Sequence, residues 1–266
     1  MSAAAAQIEV LLKLCARLRD PSNGCPWDRA QTLATIAPHT IEEAYEVADA
    51  IATAEPNRIR DELGDLLFQV LLHSQLAQEQ GWFAFSDVAA GLHDKLVRRH
   101  PHVFGGEKRP NGDGLAREWD KHKAAERAAA GLRGALAGIP QALPALLRAT
   151  KLGRRAAGVG FDWPDERAVR PKIAEELRET EAALAARNSA AVAEELGDTL
   201  FALVNWARML HVDPETALRG ANAKFERRFA AMEALIAARG LSVQALSTEG
   251  WEQLWNEVKA VELSKI

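Results

Sequence analysis

The sequence predicts an all-α fold built from two copies of one helical unit, and three observations carry that prediction. The 266 residues are rich in Leu and Ala, with one Tyr and few β-branched residues, a composition that favours helices over sheets. Apolar residues recur at helical spacing from the start of the chain, where Ile8, Leu11, Leu12, Cys15 and Leu18 share a face. The third observation is an internal repeat. Thr40-Ile41-Glu42-Glu43-Ala44-Tyr45-Glu46 precedes Asp61-Glu62-Leu63-Gly64-Asp65-Leu66-Leu67-Phe68, and Glu175-Glu176-Leu177-Arg178-Glu179 precedes Glu194-Glu195-Leu196-Gly197-Asp198-Thr199-Leu200-Phe201. Glu62 follows Glu43, and Glu195 follows Glu176, at the same interval of 19 residues.

Further pairs flank these motifs. Gly24-Cys25-Pro26-Trp27 stands before the first, and Gly160-Phe161-Asp162-Trp163 before the second. Downstream, Asp94 to Arg99 resembles Ala223 to Arg228, and Trp119 with Lys123 is echoed by Trp255 with Lys259. The unit therefore holds about four helices, and the chain reads as a tandem duplication with halves 1–130 and 131–266.

Breakers and caps divide the halves. The N-terminus reads as a native helix and not as a targeting segment, because Glu9 and Lys13 interrupt any continuous apolar stretch. Thr40 with Glu43 fits a capping box, and Glu55-Pro56-Asn57 separates the two acidic helices. Gly81 closes the second of them, Ser86 fits the cap of the next, and His100-Pro101 stops it. Gly105 to Gly114, with Pro110 and Asn111, reads as a loop, Leu115 to Ala130 as a helix, and Gly131 to Pro140 as the hinge region. In the second half Pro171 suits a first helical turn, and Arg187-Asn188-Ser189 separates two helices. Asp213-Pro214 is a cap followed by a proline at the first helical position, and Gly240 ends that long helix.

The charge balance, formally -4, gives no sign of a nucleic-acid-coating surface. No apolar run is long enough for a membrane span. The two cysteines, Cys15 and Cys25, are too few for a disulfide framework and fit a reducing cytoplasm.

Chemistry enters through the carboxylates. Residues three and four apart share a helix face, so Glu43 and Glu46 sit together, with Glu42 one turn from Glu46, and Glu62 pairs with Asp65. Antiparallel packing brings four carboxylates into one cleft. Glu176, Glu179, Glu195 and Asp198 do the same in the second half, with Glu175 nearby. Clustered carboxylates beside a core repel one another unless cations compensate, and the following residues place a core there: Leu66, Leu67, Val70 and Leu71, and Leu200, Leu203 and Val204. Oxygen-only ligands select a hard ion, Mg²⁺ first and Mn²⁺ as a substitute. A solvated charged face explains one such motif; it does not explain two at a fixed interval. A di-iron bundle expects Glu-x-x-His, which neither Glu62 nor Glu195 begins. No Gly-rich phosphate loop with Lys-Ser/Thr is present either. Lys95, Arg98 and Arg99 share a face, as do Lys224, Arg227 and Arg228, and either set can bind phosphate oxygens beside a metal centre. Trp119 and Trp255 read as packing residues.

Together these motifs resemble the MazG nucleoside triphosphate pyrophosphohydrolases, in their long two-domain bacterial form within the all-α NTP pyrophosphatase superfamily. The resemblance runs over nearly the whole chain and includes Arg17 to Pro21, Gly24 to Asp28, Thr35 to Pro38, Arg98 to Gly105 and Lys224 to Phe229. It implies four-helix-bundle-type cores completed by homodimerisation. It also implies Mg²⁺-dependent hydrolysis between the α and β phosphates of ribo- or deoxyribonucleoside triphosphates, giving a monophosphate and pyrophosphate, with a role in cleansing the nucleotide pool or controlling stress nucleotides. The family's metal-binding positions fall on Glu42, Glu43, Glu46, Glu62 and Asp65, and on Glu175, Glu176, Glu179, Glu195 and Asp198. Its triphosphate-binding positions fall on Lys224, Arg227 and Arg228. In such an enzyme one carboxylate, Glu43 or Glu176, accepts the proton of the attacking water. The competing expectation is a nucleotide-sensing or partner-binding module without turnover.

Both halves hold complete acidic sets, so any difference lies around them. Asn205 stands where the first half has Leu72. It either makes a structural hydrogen bond or contacts the sugar or base of the nucleotide; the second option would give most of the turnover to the C-terminal half.

Overall fold

The computed structural model describes residues 2–106, 114–129 and 131–263. These form twelve α-helices and one short 3-10 turn, Val243–Ala245, with no strand among the described residues. By contacts the chain divides into two units, Met1–His122 and Lys123–Ile266. No described helix is long and apolar enough to cross a membrane.

The first unit begins with α1 (Ala3–Leu18), whose first turn is capped by Ser2 accepting from the Ala5 N–H at 3.2 Å. The following turn is held by Asp20, which accepts from the N–H groups of Ser22 and Asn23. Arg19 ties this turn to the rest of the unit. Its guanidinium pairs with Glu79 at 2.7 Å and also donates to the carbonyls of Asp28 and Gln31. After α2 (Pro26–Ala30) come the two long helices α3 (Leu33–Thr53) and α4 (Pro56–Glu79), joined by a two-residue connection in which Ala54 is left-handed at φ 55°. Ile36, Leu72 and Leu76 bury the core between them, with Leu33 and Phe68 packed alongside. One helical stretch from this core, Thr40 meets His73 across the pair at 2.8 Å. α5 (Phe85–Arg99) and α6 (Pro101–Phe104) follow, and α7 (Gly114–Ala129) begins in this unit and ends in the second.

The second unit carries α8 (Ala145–Ala157), α9 (Glu166–Ala185), α10 (Ser189–Met209), α11 (Pro214–Ala238) and α12 (Thr248–Leu263). α9 and α10 form the hairpin that corresponds to α3 and α4, turned at Arg187 (φ 53°) and capped by Asn188. Met232, Ile236, Leu254 and Val258 make a separate core between α11 and α12. Beside it Phe225, Phe229, Trp251 and Trp255 stack at centroid distances of 5.6–6.0 Å. Trp255 is thus a packing residue, and Trp119 stands against His100 and Arg99 in the first unit.

Three boundary expectations are corrected. Thr40 is not a cap, because α3 starts a full two turns earlier on a complete box: Thr32 accepts from the Thr35 N–H at 3.2 Å, and Thr35 accepts from the Thr32 N–H at 2.8 Å. Ser86 is inside α5. Asp87 reaches back to the Ala84 N–H at 2.8 Å and sets the start there. Pro171 lies within α9, whose cap is Asp165 accepting from Arg167 and Ala168. The proline is part of the repeat, since Pro38 stands five residues before Glu43 and Pro171 five residues before Glu176. Each removes one backbone hydrogen bond. The helix continues because Ile36 and Val169, two residues earlier, are buried and hold the segment in place.

The breaks at Glu55-Pro56, Gly81, His100-Pro101, Arg187-Asn188, Asp213-Pro214 and Gly240 fall where the sequence puts them. Of the expected loop 105–114, residues 107–113, including Pro110 and Asn111, lie outside the described residues, as does Ala130.

Close approach of α8 to α10 requires Gly153. A Cβ there would overlap Asn205 Oδ1 and lie 3.1 Å from Arg208 Nε. Gly153→Ala is expected to destabilise the second unit by about 1–3 kcal/mol through displaced, buried neighbours. Denaturant unfolding followed by tryptophan fluorescence checks this, and an unchanged midpoint would contradict it.

Candidate metal centres

Each acidic hairpin brings carboxylates together part-way along its length, with buried apolar positions on either side: Ile36 and Ala50 flank Glu43, and Val169 and Ala183 flank Glu176. In the first unit one oxygen from each of Glu43, Glu62 and Asp65 lies within 4.8 Å of the other two; in the second unit Glu176, Glu179 and Glu195 do the same. Glu43 and Glu62 are half-buried and Asp65 is exposed; Glu176 is buried at 4 % exposure, Glu195 half-buried and Glu179 exposed. Each group is a set of oxygen donors on a helical pair, able to hold a divalent metal ion.

The remaining predicted ligands stand close without joining these groups. Glu46 is exposed and hydrogen-bonds with Glu62. Burial of the surroundings, then the charges of Glu62, Glu43 and Glu42, raise its pKa above the ordinary 4.5. Asp198 acts in the same sense on Glu195, whose pKa is raised by desolvation first and then by Glu179, Glu176 and Asp198. Glu42 and Glu175 turn to partners on their own helices: His39 meets Glu42 at 3.3 Å, and Lys172 meets Glu175 at 2.9 Å.

Lys172 also meets the buried Glu176 at 2.7 Å, and that hydrogen bond holds the Glu176 carboxyl below its ordinary range against the effect of burial. Sequence reasoning missed Lys172, although its position four residues before Glu176 is the ordinary spacing of a helical ion pair. It also missed Gln69. This residue is 6 % exposed, donates from Nε2 to Glu43 Oε1 at 3.5 Å, and keeps its Oε1 buried without a partner among the described residues. An oxygen-only donor set beside an orphaned buried amide oxygen fits a hard cation that brings its own water.

The basic residues are placed on the neighbouring helices. In the first unit Lys95 is half-buried and Arg98 exposed on α5, while Arg99 lies over the Trp119 ring at 5.1 Å. In the second unit Lys224 is exposed on α11; Arg228 pairs with Glu262 at 2.7 Å and lies 5.5 Å from the Trp255 ring, and Arg227 approaches Glu262 at 3.5 Å. Arg227 and Arg228 line a cavity of about 400 Å³ between α11 and α12, walled by Leu235, Val258 and Val261. Asn205 is 1 % exposed. Its amide donates to the Phe201 carbonyl at 3.0 Å and accepts from Arg208 at 3.2 Å, and Arg208 in turn pairs with Asp162.

The apolar residues after the acids are covered unevenly. Leu71 and Val204 are buried, whereas Val70, Leu200 and Leu203 are exposed, because each hairpin presents two apolar stripes and its own unit covers only one.

Duplicated helical hairpins, each closing a carboxylate group suited to a divalent ion, define a class of metal-binding all-α proteins. The MazG nucleotide pyrophosphohydrolase domain family matches residues 31–104 and 165–231, which span both hairpins. The chain is 50 % identical over 259 residues to the nucleoside triphosphate pyrophosphohydrolase of Escherichia coli K12, covering 97 % of this chain and 98 % of that protein. It is 41 % identical over 260 residues to the nucleoside triphosphate pyrophosphohydrolase/pyrophosphatase MazG of Thermotoga maritima, with the same coverage. It is also 41 % identical over 246 residues to the uncharacterized protein YabN of Bacillus subtilis, matching 92 % of this chain and 50 % of that one. The chain belongs to the MazG family of nucleotide pyrophosphohydrolases.

The raised pKa values of Glu46 and Glu195 have a sign that can be measured. Their repulsion costs the metal-free protein stability as pH rises above the ordinary 4.5 and the protons leave. Mn²⁺ is therefore expected to raise the Tm of chelated protein more at pH 7 than at pH 5. Equal gains at both pH values in thermal melts would contradict this.

Proposed function

We propose that the chain hydrolyses nucleoside triphosphates between the α and β phosphates, releasing a nucleoside monophosphate and pyrophosphate, with Mg²⁺ as the working ion and Mn²⁺ able to replace it. The observation that carries this reading is the pair of carboxylate groups on matching stretches of two hairpins. The names of the relatives from Escherichia coli and Thermotoga maritima support it.

In this reading Glu43, Glu46, Glu62 and Asp65 in one half, and Glu176, Glu179, Glu195 and Asp198 in the other, hold the ion, with Glu42 and Glu175 at the edge of each set. Mg²⁺ held by these carboxylates would supply positive charge against the phosphates and lower the pKa of a bound water. One carboxylate of the group, Glu43 or Glu176, takes the proton of that water. Lys224, Arg227 and Arg228, and Lys95, Arg98 and Arg99 in the first half, bind the outer phosphate oxygens, the arginines as forks and the lysines as point charges. Glu262 keeps Arg227 and Arg228 oriented until phosphate competes for them.

We assign Asn205 to packing, because its amide is engaged at both ends inside the protein. We assign most of the turnover to the C-terminal half, a reading supported by the cavity that Arg227 and Arg228 line. Purified protein with Mg²⁺ is expected to give monophosphate and pyrophosphate. Glu176→Gln/Asp198→Asn should lower turnover at least about 100-fold, and Glu43→Gln/Asp65→Asn far less. Nucleoside diphosphate plus orthophosphate as products would reject the reaction; a reversed order of the two variants would reject the assignment to the C-terminal half.

The chain is read as a cytoplasmic homodimer that acts on free nucleotides and not on nucleic acid. Leu177 and Leu184 on α9 and Leu196, Leu200 and Leu203 on α10 form exposed stripes, and Ile41, Leu63 and Val70 do so in the first half. A second copy covering these stripes removes several large side chains from water, at roughly 1.5–3 kcal/mol each. Sedimentation at micromolar concentration should show a dimer, and a monomer under those conditions would contradict this.

A further inference from the structure

The two acidic groups come from matching stretches, completed by Asp65 in the first and Glu179 in the second, and they differ in what holds Glu43 and Glu176. On α9, Lys172 reaches Glu176 from one turn earlier at 2.7 Å. The matching position on α3 is His39, which turns away to Glu42. Glu43 is met from the opposite helix instead, by Gln69 Nε2 at 3.5 Å. Gln69 follows Asp65 by four residues and Glu62 by seven, so all three share one face of α4. The matching residue on α10 is Ala202, which has no polar side-chain atom.

Gln69 is more than nine-tenths buried, and its Oε1 has no donor among the described residues. Turning the amide over would set that oxygen against the Glu43 carboxylate, so the charge on Glu43 fixes Nε2 towards it. A buried amide oxygen left this way beside three carboxylates calls for a donor that the carboxylates themselves attract. A hydrated divalent cation is such a donor, because its coordinated waters turn their hydrogens outwards.

We propose that Gln69 is a positioning residue of the N-terminal metal site, holding Glu43 through its amide nitrogen and accepting a hydrogen bond at Oε1 from a water on the bound cation. The inference rests on the metal reading of that site given above. The two halves then differ as metal centres: Gln69 adds a neutral water acceptor to the first, and Lys172 adds a fixed positive charge to the second.

The test uses the full chain carrying Glu176→Gln and Glu195→Gln, so that Mn²⁺ titration followed by electron paramagnetic resonance reports the N-terminal group. Adding Gln69→Leu, close in volume and apolar, should weaken Mn²⁺ about 10- to 100-fold while leaving the metal-free Tm nearly unchanged. Adding Gln69→Met instead, which keeps the length of the side chain but has neither the amide donor nor the amide acceptor, should weaken Mn²⁺ to a similar extent. Unchanged affinity in Gln69→Leu overturns the proposal, and unchanged affinity in Gln69→Met does so alone if the leucine variant fails to fold. A background protein that binds no Mn²⁺ overturns the metal reading of the N-terminal group, and the role of Gln69 falls with it.

Discussion

Mutual repulsion among carboxylates on facing helices is the constraint around which each half is organised. Three acidic oxygens within 4.8 Å of one another, two of them from buried or half-buried residues, are an unfavourable arrangement in a chain without cations. The fold keeps it by tight apolar packing elsewhere in the same hairpin: Ile36 against Leu72 and Leu76 in the first, and Val169, Ala183, Ala202 and Val204 as buried positions in the second. Packing on both sides of the acids supplies the stability that offsets the repulsion at the site. Early caps at Thr32 and Asp165 start the helices well before the acids, so a proline in the second turn is tolerated and the glutamates stand on regular helix.

The duplicated grammar made most of this legible without coordinates. The fixed interval between Glu43 and Glu62, and between Glu176 and Glu195, implied an antiparallel hairpin with both acidic pairs on the inside, because only that pairing lets i, i+3 positions meet across two helices. Turn chemistry at Pro56, Gly81, Asn188 and Asp213 placed the ends, since those residue types act locally. Thr40 and Pro171 misled for a related reason. Each carries a strong local preference, but buried contacts at Ile36 and Val169 extend the helix past it.

What the sequence did not disclose depends on partners far apart in the chain. Gln69 looks like one polar residue in an apolar run until Glu43 is seen opposite it. Asn205 shows the converse: its polarity in an apolar run allowed a structural hydrogen bond or a nucleotide contact, and its amide bonds the Phe201 carbonyl and Arg208 where α8 passes close at Gly153. The apolar stripe at Leu200 and Leu203 was read as covered, yet it faces outwards. A periodic pattern records which face is apolar, not which molecule covers it.

The account stands on both carboxylate groups being metal centres, and crystals of the full chain grown with Mn²⁺ address that directly. Anomalous diffraction at the manganese edge should give peaks within coordination distance of Glu43, Glu62 and Asp65, and of Glu176, Glu179 and Glu195. A well-ordered crystal saturated with Mn²⁺ that shows no anomalous peak at either group would contradict it.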